Sequence, residues 1–342
     1  MKLVARGLVP DGVVRWKIRS LLRERLTEES AGGESAIADR RRRLVALLDA
    51  SPVALATAEA NAQHYEVPPR FFELVLGPRL KYSCALFEDT TTTLAAAEDA
   101  MLELSVKRAD LADGQRILDL GCGWGSLSLF LAHRLPAARI LGVSNSRDQR
   151  TFIETRARER GLTNLEIRTA DMNVFDPGDR FDRIVSIEML EHMRNYREVL
   201  RRIASWLAPD GRLFVHVFAH RTLAYPFEVR NAGDWMARHF FTGGMMPSHD
   251  LLPSFQNDLA CTRSWWVDGL HYARTAEEWL RSLDRNRPEI LALFARDLGP
   301  SAARLRLAMW RVFFMSCAEL WGFAGGTEWG VSHALFAPVR AR

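Results

Sequence analysis

The stretch Arg116-Ile-Leu-Asp-Leu-Gly-Cys-Gly-Trp-Gly125 decides the fold of this chain. Ile117, Leu118 and Leu120 form a short apolar run that is typical of a central parallel strand covered on both faces. The glycines that follow allow a tight turn and a close backbone approach to a ligand, and helical spacing continues over 126–135. The pattern predicts a strand, a ligand-binding turn and a helix.

The spacing of the turn separates two ligand classes. A dinucleotide site needs G-x-G-x-x-G and an acid roughly 20 residues further on. Here Gly121, Gly123 and Gly125 give G-x-G-x-G, and Asp119 precedes them, where a carboxylate suits an ammonium group better than a pyrophosphate. We therefore predict a zwitterionic ligand, of which S-adenosylmethionine is the common case, over a nicotinamide or a turn that only packs. The stretch resembles the first motif of class I S-adenosylmethionine-dependent methyltransferases.

Length and charge restrict the function further. The chain has 342 residues, more than one typical domain of about 100–200 residues. Its net charge of +4 comes from arginines interspersed with glutamates, so no nucleic-acid partner is predicted. The sequence contains no apolar run of about 18 residues, so no transmembrane segment is predicted. The four cysteines show no metal-ligand spacing, so we predict no metal site and a cytoplasmic protein.

Strand and helix patterns alternate after about residue 91, which predicts a doubly wound α/β fold. The first region shows helical spacing, broken by a polar linker over 28–35, and Ser51-Pro52 predicts the start of another helix. We expect a Rossmann-like, seven-stranded class I methyltransferase sheet with an N-terminal helical cap and a helical insertion in the C-terminal part. The predicted domains are 1–90 (cap), 91–218 (cofactor-binding core) and 219–342 (completion of the sheet and acceptor pocket). The predicted strands are 117–120, 140–143, 165–168, 181–187, 211–217, 259–267 and 331–339.

The cofactor residues follow from their positions after the first three strands. Asp119 and Gly121, with Gly123 beside them, should face the methionine end of the cofactor. Asn145 and Gln149 lie where this fold usually has an acid for the ribose, so neutral hydrogen bonds are predicted there, with helix capping as the alternative. After strand three, Asp171 can accept from the adenine amino group while Met172 covers the ring, and an ordinary turn acid is the alternative.

The chemistry is predicted just after strand four, at Glu188, Glu191 and His192. An amine acceptor arrives largely as ammonium at neutral pH, so a carboxylate or imidazole must remove its proton and hold the nitrogen. The alternative is that the two glutamates cap the next helix and the histidine is a buried polar group.

Several stretches along the chain carry a family resemblance. They are Tyr65-Glu-Val-Pro, Lys81-Tyr-Ser-Cys, the glycine turn, 186–196, Leu213-Phe-Val-His216, 239–244 with 246–248, 271–279, Arg311-Val-Phe-Phe and Glu328-Trp329. In these stretches the chain resembles the cyclopropane-fatty-acyl-phospholipid synthase superfamily and, within it, the branch of coclaurine N-methyltransferase and related benzylisoquinoline alkaloid N-methyltransferases. One departure is His239, where the family tends to carry tyrosine.

The resemblance implies two different acceptors. Lipid-modifying members resemble this chain at Cys84, Glu191, His216 and Tyr272, which would surround a bicarbonate ion. Amine-methylating members also carry a glutamate that matches Glu188, and by that likeness Glu191 and His192 position and deprotonate the amine while Glu188 supports binding. Threonine at Thr242, where lipid-modifying members tend to have proline, also favours the amine.

The resemblance adds a cofactor cover and an acceptor pocket. It implies that Tyr82 and Ser83 close over the methionine carboxylate. Aromatic faces attract cations and flat rings, although core packing is the alternative for each ring. Phe241 and Trp329 are kept as pocket residues, the latter because it matches a family pocket position. The other aromatic candidates are Phe314, Trp321 and Phe323.

The sequence therefore predicts an S-adenosylmethionine-dependent N-methyltransferase that acts on a small cyclic, tetrahydroisoquinoline-like amine and releases S-adenosylhomocysteine. The alternative is methylene transfer to unsaturated lipid chains at a bicarbonate site, with peripheral membrane contact. A cofactor-binding scaffold without activity is a third hypothesis. A homodimer is left open.

Overall fold

A computed structural model of the chain describes residues 1–55, 67–229 and 234–339. Within these ranges the helices are α1 (Lys2–Ala5), α2 (Asp11–Ser30), α3 (Gly33–Asp49), α4 (Pro69–Val75), α5 (Leu94–Ala109), α6 (Ser126–Arg134), α7 (Arg147–Glu159), α8 (Tyr196–Trp206), α9 (Trp235–His239), α10 (Gly269–Arg285), α11 (Arg287–Leu298) and α12 (Pro300–Trp321). In the same part of the chain, every helix is too short or too polar to span a bilayer.

The described strands form a seven-stranded sheet and a small two-stranded one. The large sheet has the order β3-β2-β1-β4-β5-β9-β8, and β6 pairs with β7. The strands are β1 (Arg116–Leu120), β2 (Arg139–Ser144), β3 (Leu165–Thr169), β4 (Phe181–Ile187), β5 (Leu207–His220), β6 (Tyr225–Pro226), β7 (Met245–Met246), β8 (Leu259–Val267) and β9 (Trp329–Pro338).

The first five strands are parallel, whereas β9 runs antiparallel to both of its neighbours. Strand β1 lies between β2 and β4, so the strand order reverses direction there. The carboxyl ends of these strands meet at one edge of the sheet, which is where open α/β sheets bind ligands. The predicted doubly wound, seven-stranded fold is confirmed.

Helices cover both faces of the sheet. Ile117 of β1 packs in a cluster with Leu102 of α5, whereas its neighbour Leu118 packs in another cluster with Leu200 of α8. Consecutive strand residues point to opposite faces, and both faces of β1 are therefore buried. This explains why the sequence of β1 is a continuous apolar run rather than an alternating one.

A third cluster joins the helical cap to the C-terminal helices. Phe71 and Phe72 of α4 pack against Trp310 of α12, at ring distances of 4.7 and 6.0 Å. Phe72 also lies 4.9 Å from Trp124 in the glycine turn. The cap and the C-terminal helices thus enclose the turn that follows β1.

Three local predictions were wrong. The linker predicted over 28–35 is almost entirely helical: α2 continues to Ser30, α3 begins at Gly33, and only Ala31 and Gly32 separate them. The end of α2 is stabilised by the Arg25 to Glu29 ion pair at 3.2 Å, because side chains four residues apart lie on one helical face. Gly32 then adopts the left-handed φ of 80° that breaks the helix.

The second error concerns Ser51-Pro52. Ala54 forms an isolated antiparallel bridge with Met193 instead of continuing a helix. The third concerns β5, which was predicted over 211–217 but begins at Leu207 and continues to His220. Residues 56–66, which include Tyr65 and Glu66 of one family-like stretch, lie outside the described residues. The domain boundaries at 90 and 218 remain a proposal.

Candidate active site

Glu188 directly follows β4 and has a strained backbone. Its φ of 48° lies in the left-handed region that favours glycine. Its N–H donates to the carbonyl of His216 at 2.8 Å, which continues the pairing of β4 with β5. Such a conformation costs about 1–3 kcal/mol, and strain of this kind concentrates at functional sites.

The carboxylate of Glu188 receives hydrogen bonds from three other parts of the chain. The Cys84 N–H donates to Oε1 at 3.1 Å, and His216 Nε2 lies 3.2 Å from the same oxygen. The Tyr272 hydroxyl donates to Oε2 at 2.5 Å. Burial raises the pKa of Glu188 to about 7, and the positive charge of Lys81 and the hydrogen bonds from Tyr272 and Cys84 oppose that rise. The donors favour the ionised form.

Glu191 has a different environment. Its side chain is fully buried, and Oε1 accepts the Phe218 N–H at 2.7 Å. Oε2 has no hydrogen-bond partner among the described residues. Burial raises the pKa of Glu191 well above its ordinary value, and the negative charge of Glu188 adds to that rise. In this coupled pair, Glu188 is therefore the group that ionises first as pH rises, while Glu191 keeps its proton to higher pH.

His192 ends the short 3₁₀ turn Leu190–His192, which places it beside these carboxyl groups. Its ring stacks on Phe241 with a centroid distance of 5.9 Å and an interplanar angle of 9°. Burial lowers the pKa of His192 to about 4, while the charge of Glu188 raises it. His192 is thus a neutral imidazole at neutral pH, and a neutral imidazole can accept a proton.

The nine predicted cofactor residues line two adjoining cavities. Four residues belong to both cavities and join them: Gly121, Gly123, Gln149 and Glu188. The first cavity is further lined by Tyr82, Ser83, Asp119 and Lys81. The second is further lined by Asn145, Asp171, Met172 and His192.

Three observations test whether these cavities fit S-adenosylmethionine. The Asp119 carboxylate is buried with Ser128 as a 2.6 Å donor to Oδ2, and burial raises its pKa to about 6, so a ligand ammonium would be a suitable counter-charge. Gln149 Oε1 accepts from Ser144 at 2.6 Å, but its buried Nε2 has no partner in the described part of the chain. A Cβ on Gly123 would meet no atom within 4 Å. The residues fit the cofactor.

The predicted pocket residues separate into three groups. Cys84, His216 and Tyr272 converge on Glu188, as described above, and Phe241 lies against His192. Trp329 instead donates its indole N–H to Tyr225 at 3.1 Å. The ring that stacks on Tyr272 is Trp321, at 4.6 Å and an interplanar angle of 1°. The role of Trp329 in the acceptor pocket stays a prediction.

The sequence reasoning missed two groups near Glu188. Lys81 is 2% exposed, donates to the Ser83 hydroxyl and contributes the positive charge noted above. It belongs to the family-like stretch Lys81-Tyr-Ser-Cys, which was the available signal. His333 lies 2.8 Å from His216, and no motif in the sequence pointed to it.

Comparisons with known proteins show the family of this chain. The family model for mycolic acid cyclopropane synthetase matches residues 54–323. The chain is 39% identical to (S)-coclaurine N-methyltransferase of Thalictrum flavum subsp. glaucum, over 98% of this chain and 94% of the relative. It is 36% identical to the (S)-coclaurine N-methyltransferase of Papaver somniferum, over 96% of this chain and 95% of the relative.

Solved structures show the same likeness. A coclaurine N-methyltransferase bound to N-methylheliamine and SAH superposes with a TM-score of 0.94 at 36% identity, covering 98% of this chain and 97% of that one. The cyclopropane synthase MmaA2 of Mycobacterium tuberculosis has a TM-score of 0.71 at 24% identity, covering 82% and 98%, and shares the fold.

Proposed function

Because this chain belongs to the mycolic acid cyclopropane synthetase family, and within it to the S-adenosylmethionine-dependent N-methyltransferases, we propose that it methylates the nitrogen of a small cyclic, tetrahydroisoquinoline-like amine.

The surroundings of Glu188 carry this proposal. By the resemblance described above, Cys84, His216 and Tyr272 would surround a bicarbonate ion in a lipid-modifying enzyme. In this chain the carboxylate of Glu188 takes hydrogen bonds from all three residues. A buried side-chain carboxylate therefore lies where the lipid alternative needs an exchangeable anion, which supports the amine as acceptor.

The cofactor-binding residues have distinct tasks in this proposal. When bound, S-adenosylmethionine supplies an electrophilic methyl group on a sulfonium. Asp119 holds the ammonium group, and Nε2 of Gln149, which lacks a partner among the described residues, donates to a ligand oxygen. Tyr82 and Ser83 close the cavity on the side of the methionine carboxylate.

The catalytic residues prepare the amine. The charge of Glu188 attracts the ammonium form of the acceptor into the buried site. His192 is neutral there and accepts the amine proton, and the nearby charge of Glu188 stabilises the imidazolium that forms. Once that proton has left, Oε2 of Glu191, which has no partner in the described residues, accepts the remaining N–H of the amine and holds the nitrogen without occupying its lone pair. The nitrogen lone pair is then available for methylation.

Aromatic rings next to His192 suit a flat acceptor. Phe218 lies edge-on to Phe241 at 5.8 Å, and Phe227 lies 5.4 Å from Phe241. Phe227 also lines an apolar cavity of about 520 Å³ beside α2. Aromatic faces bind both cations and planar rings, so these phenylalanines would orient a benzo-fused amine.

Methyl transfer from labelled S-adenosylmethionine tests the proposal. The enzyme is offered tetrahydroisoquinolines in one assay and unsaturated phospholipid vesicles in another, with and without added bicarbonate. We expect label in the amines alone and no effect of bicarbonate. Label in the vesicles alone, rising with bicarbonate, would establish the lipid alternative, and label in neither would favour the inactive scaffold.

We further propose that the enzyme works in the cytoplasm, because all four cysteines are unpaired thiols. The homodimer remains a proposal that sedimentation would test.

A further inference from the structure

A buried line of hydrogen bonds connects Glu188 to a cation that the proposed mechanism does not use. His216 Nε2 lies 3.2 Å from Glu188 Oε1, and His216 Nδ1 lies 2.8 Å from His333 Nε2. His333 Nδ1 lies 2.7 Å from Arg108 Nη1. Neither imidazole has any exposed surface.

The architecture of the sheet explains this line. His216 in β5 and His333 in β9 are directly opposite each other in the antiparallel ladder, so their rings meet at 4.6 Å. Arg108 comes from the last turn of α5, which packs on this face, and its guanidinium lies 5.0 Å from the centre of the Trp265 ring. Three elements that are distant in sequence thus supply one chain of contacts.

The hydrogen bonds can run in only one direction. Arginine has donors and no acceptor, so Nδ1 of His333 must accept and its proton must be on Nε2. Nε2–H of His333 then donates to Nδ1 of His216, which leaves the proton of His216 on Nε2. Burial lowers the pKa of both histidines well below the ordinary value, which agrees with two neutral rings.

We infer that Arg108 and His333 are positioning residues for methyl transfer: they fix the tautomer of His216, so that its Nε2–H is donated to Glu188. The inference rests on the proposed function, because it assigns Glu188 the charge that binds the amine. If Arg108 were absent, the line could reverse, and Nε2 of His216 would present a lone pair. Glu188 would then bind a proton to fill that hydrogen bond and would lose its charge.

Other charged or titratable groups also face Glu188, from every element packed around it. These groups are the same in the wild type and in the variants. A comparison of the wild type with the variants therefore isolates the effect of the hydrogen-bonded line from Arg108 through His333 to His216. The groups are Lys81 and Cys84 before α5, Glu191 and His192 in the 3₁₀ turn, His216 in β5, Tyr272 in α10 and Cys317 in α12.

The first experiment reads the tautomers of the free enzyme. Long-range ¹H–¹⁵N spectra distinguish protonated from unprotonated ring nitrogens, and the two signals are assigned by substitution among the nine histidines. We expect Nε2–H on both His216 and His333 in the wild type, and a population with Nδ1–H in Arg108→Met. A proton on Nδ1 of either ring in the wild type would overturn the inference.

The second experiment measures kcat and KM for the amine against pH. Arg108→Met and His333→Leu should lower kcat/KM at pH 7 on the order of 10- to 100-fold, by analogy with groups that orient the histidine ligands of metal sites. The acidic limb of the profile should move to higher pH, with S-adenosylhomocysteine affinity unchanged. His333→Gln should restore most activity, because its amide can accept from Arg108 and donate to His216.

Arg306→Met is the matched control, since it removes another half-buried arginine from a helix, and its profile should equal that of the wild type. Equal profiles for Arg108→Met and the wild type would refute the positioning role even if His333→Leu failed to fold. If no amine were methylated, the proposed function would fail, whereas the tautomer spectra would still decide whether the line exists.

Discussion

Burial sets the protonation of Glu188, and this gives a prediction for the dependence of activity on pH. The pKa of Glu188 is raised to about 7, and the proposed mechanism needs its ionised form. We therefore expect kcat/KM for the amine to rise with pH through about 7. Glu188→Gln should lower kcat/KM on the order of 10²-fold and abolish that limb. If the rise of kcat/KM with pH were unchanged in Glu188→Gln, that rise would report the titration of another group.

The same shift predicts how stability depends on pH. The pKa of Glu188 in the folded chain lies above its ordinary value of 4.5, so the folded state binds its proton more tightly than the unfolded state. Its contribution to stability is therefore complete below the ordinary pKa and is lost as pH rises through about 7. The melting temperature of the wild type should fall relative to that of Glu188→Gln between pH 5 and pH 8, which calorimetry measures.

Asp119 gives a prediction for cofactor binding. Asp119→Asn should weaken S-adenosylhomocysteine binding on the order of 10-fold or more, because a hydrogen bond to a charged group contributes about 1.5–3 kcal/mol. Because the pKa of Asp119 is raised to about 6, the affinity of the wild type should fall as pH drops below about 6. Ser128→Ala removes a donor that lowers this pKa, so the loss should begin at higher pH. Titration calorimetry with wild-type affinity in Asp119→Asn would contradict the assignment.

Glu188, Glu191 and His192 were proposed together from the sequence because they are close neighbours in the chain, and their catalytic role stays a prediction. The residues that hold Glu188 are far from it in sequence, separated by 104 positions for Cys84 and 84 for Tyr272. Spacing carries no signal over such distances, so the family resemblance was needed to suggest them. Arg108 and His333 lay in no motif, and only the packing of α5 on the sheet reveals them.

Helix α8, which follows the catalytic segment, gives a prediction at the scale of elements. Asn195 caps it by accepting the Glu198 N–H at 3.0 Å, and its Nδ2 donates to the carbonyls of Asp49 and Ser51 at 3.1 and 3.0 Å. Asn195→Ala should lower the free energy of unfolding by about 1 kcal/mol or more, since it loses the cap and the links to the end of α3 and to Ser51 just after it.

Asn195→Asp separates these two effects, because it keeps the capping oxygen and removes the amide donors. We expect its loss of stability in urea unfolding to be smaller than that of Asn195→Ala. Equal losses would show that the links to α3, rather than the cap, stabilise this region.

Element boundaries were predictable where burial dictates the residue pattern. The predicted limits of β4 and β8 match those of the structure, since both are bounded apolar or alternating runs. The polar segment at 28–35 was misassigned because exposed helical residues need no apolar periodicity.

At the scale of the whole molecule, ion pairs attach the N-terminal cap to the C-terminal helices. Glu319 of α12 accepts from Arg15 at 3.0 Å and from Arg19 at 2.8 Å, both on α2. A partly buried ion pair of this kind contributes about 1 kcal/mol to stability. Glu319→Gln should therefore make α2 open about 5-fold more often. Hydrogen exchange of α2 amides measures this.

Glu278→Gln is the matched control, because Glu278 pairs with Arg281 within α10. Its exchange in α2 should equal that of the wild type. Equal exchange in Glu319→Gln would show that apolar packing alone retains the cap. The partners of Glu319 are about 300 positions away in sequence, so no sequence pattern could have predicted them.

The strand order also has a consequence for how the chain folds while it is synthesised on the ribosome. Strand β8 is synthesised before β9, yet its place in the sheet is reached only through β9, which pairs with β5 on its other side. While the intervening helices emerge, β8 has no partner in the sheet and β5 keeps an open edge. The late arrival of β9 closes that edge and brings His333 to His216 in the same step. The nascent chain therefore closes the open edge of β5 and completes its buried hydrogen-bond line in the same step.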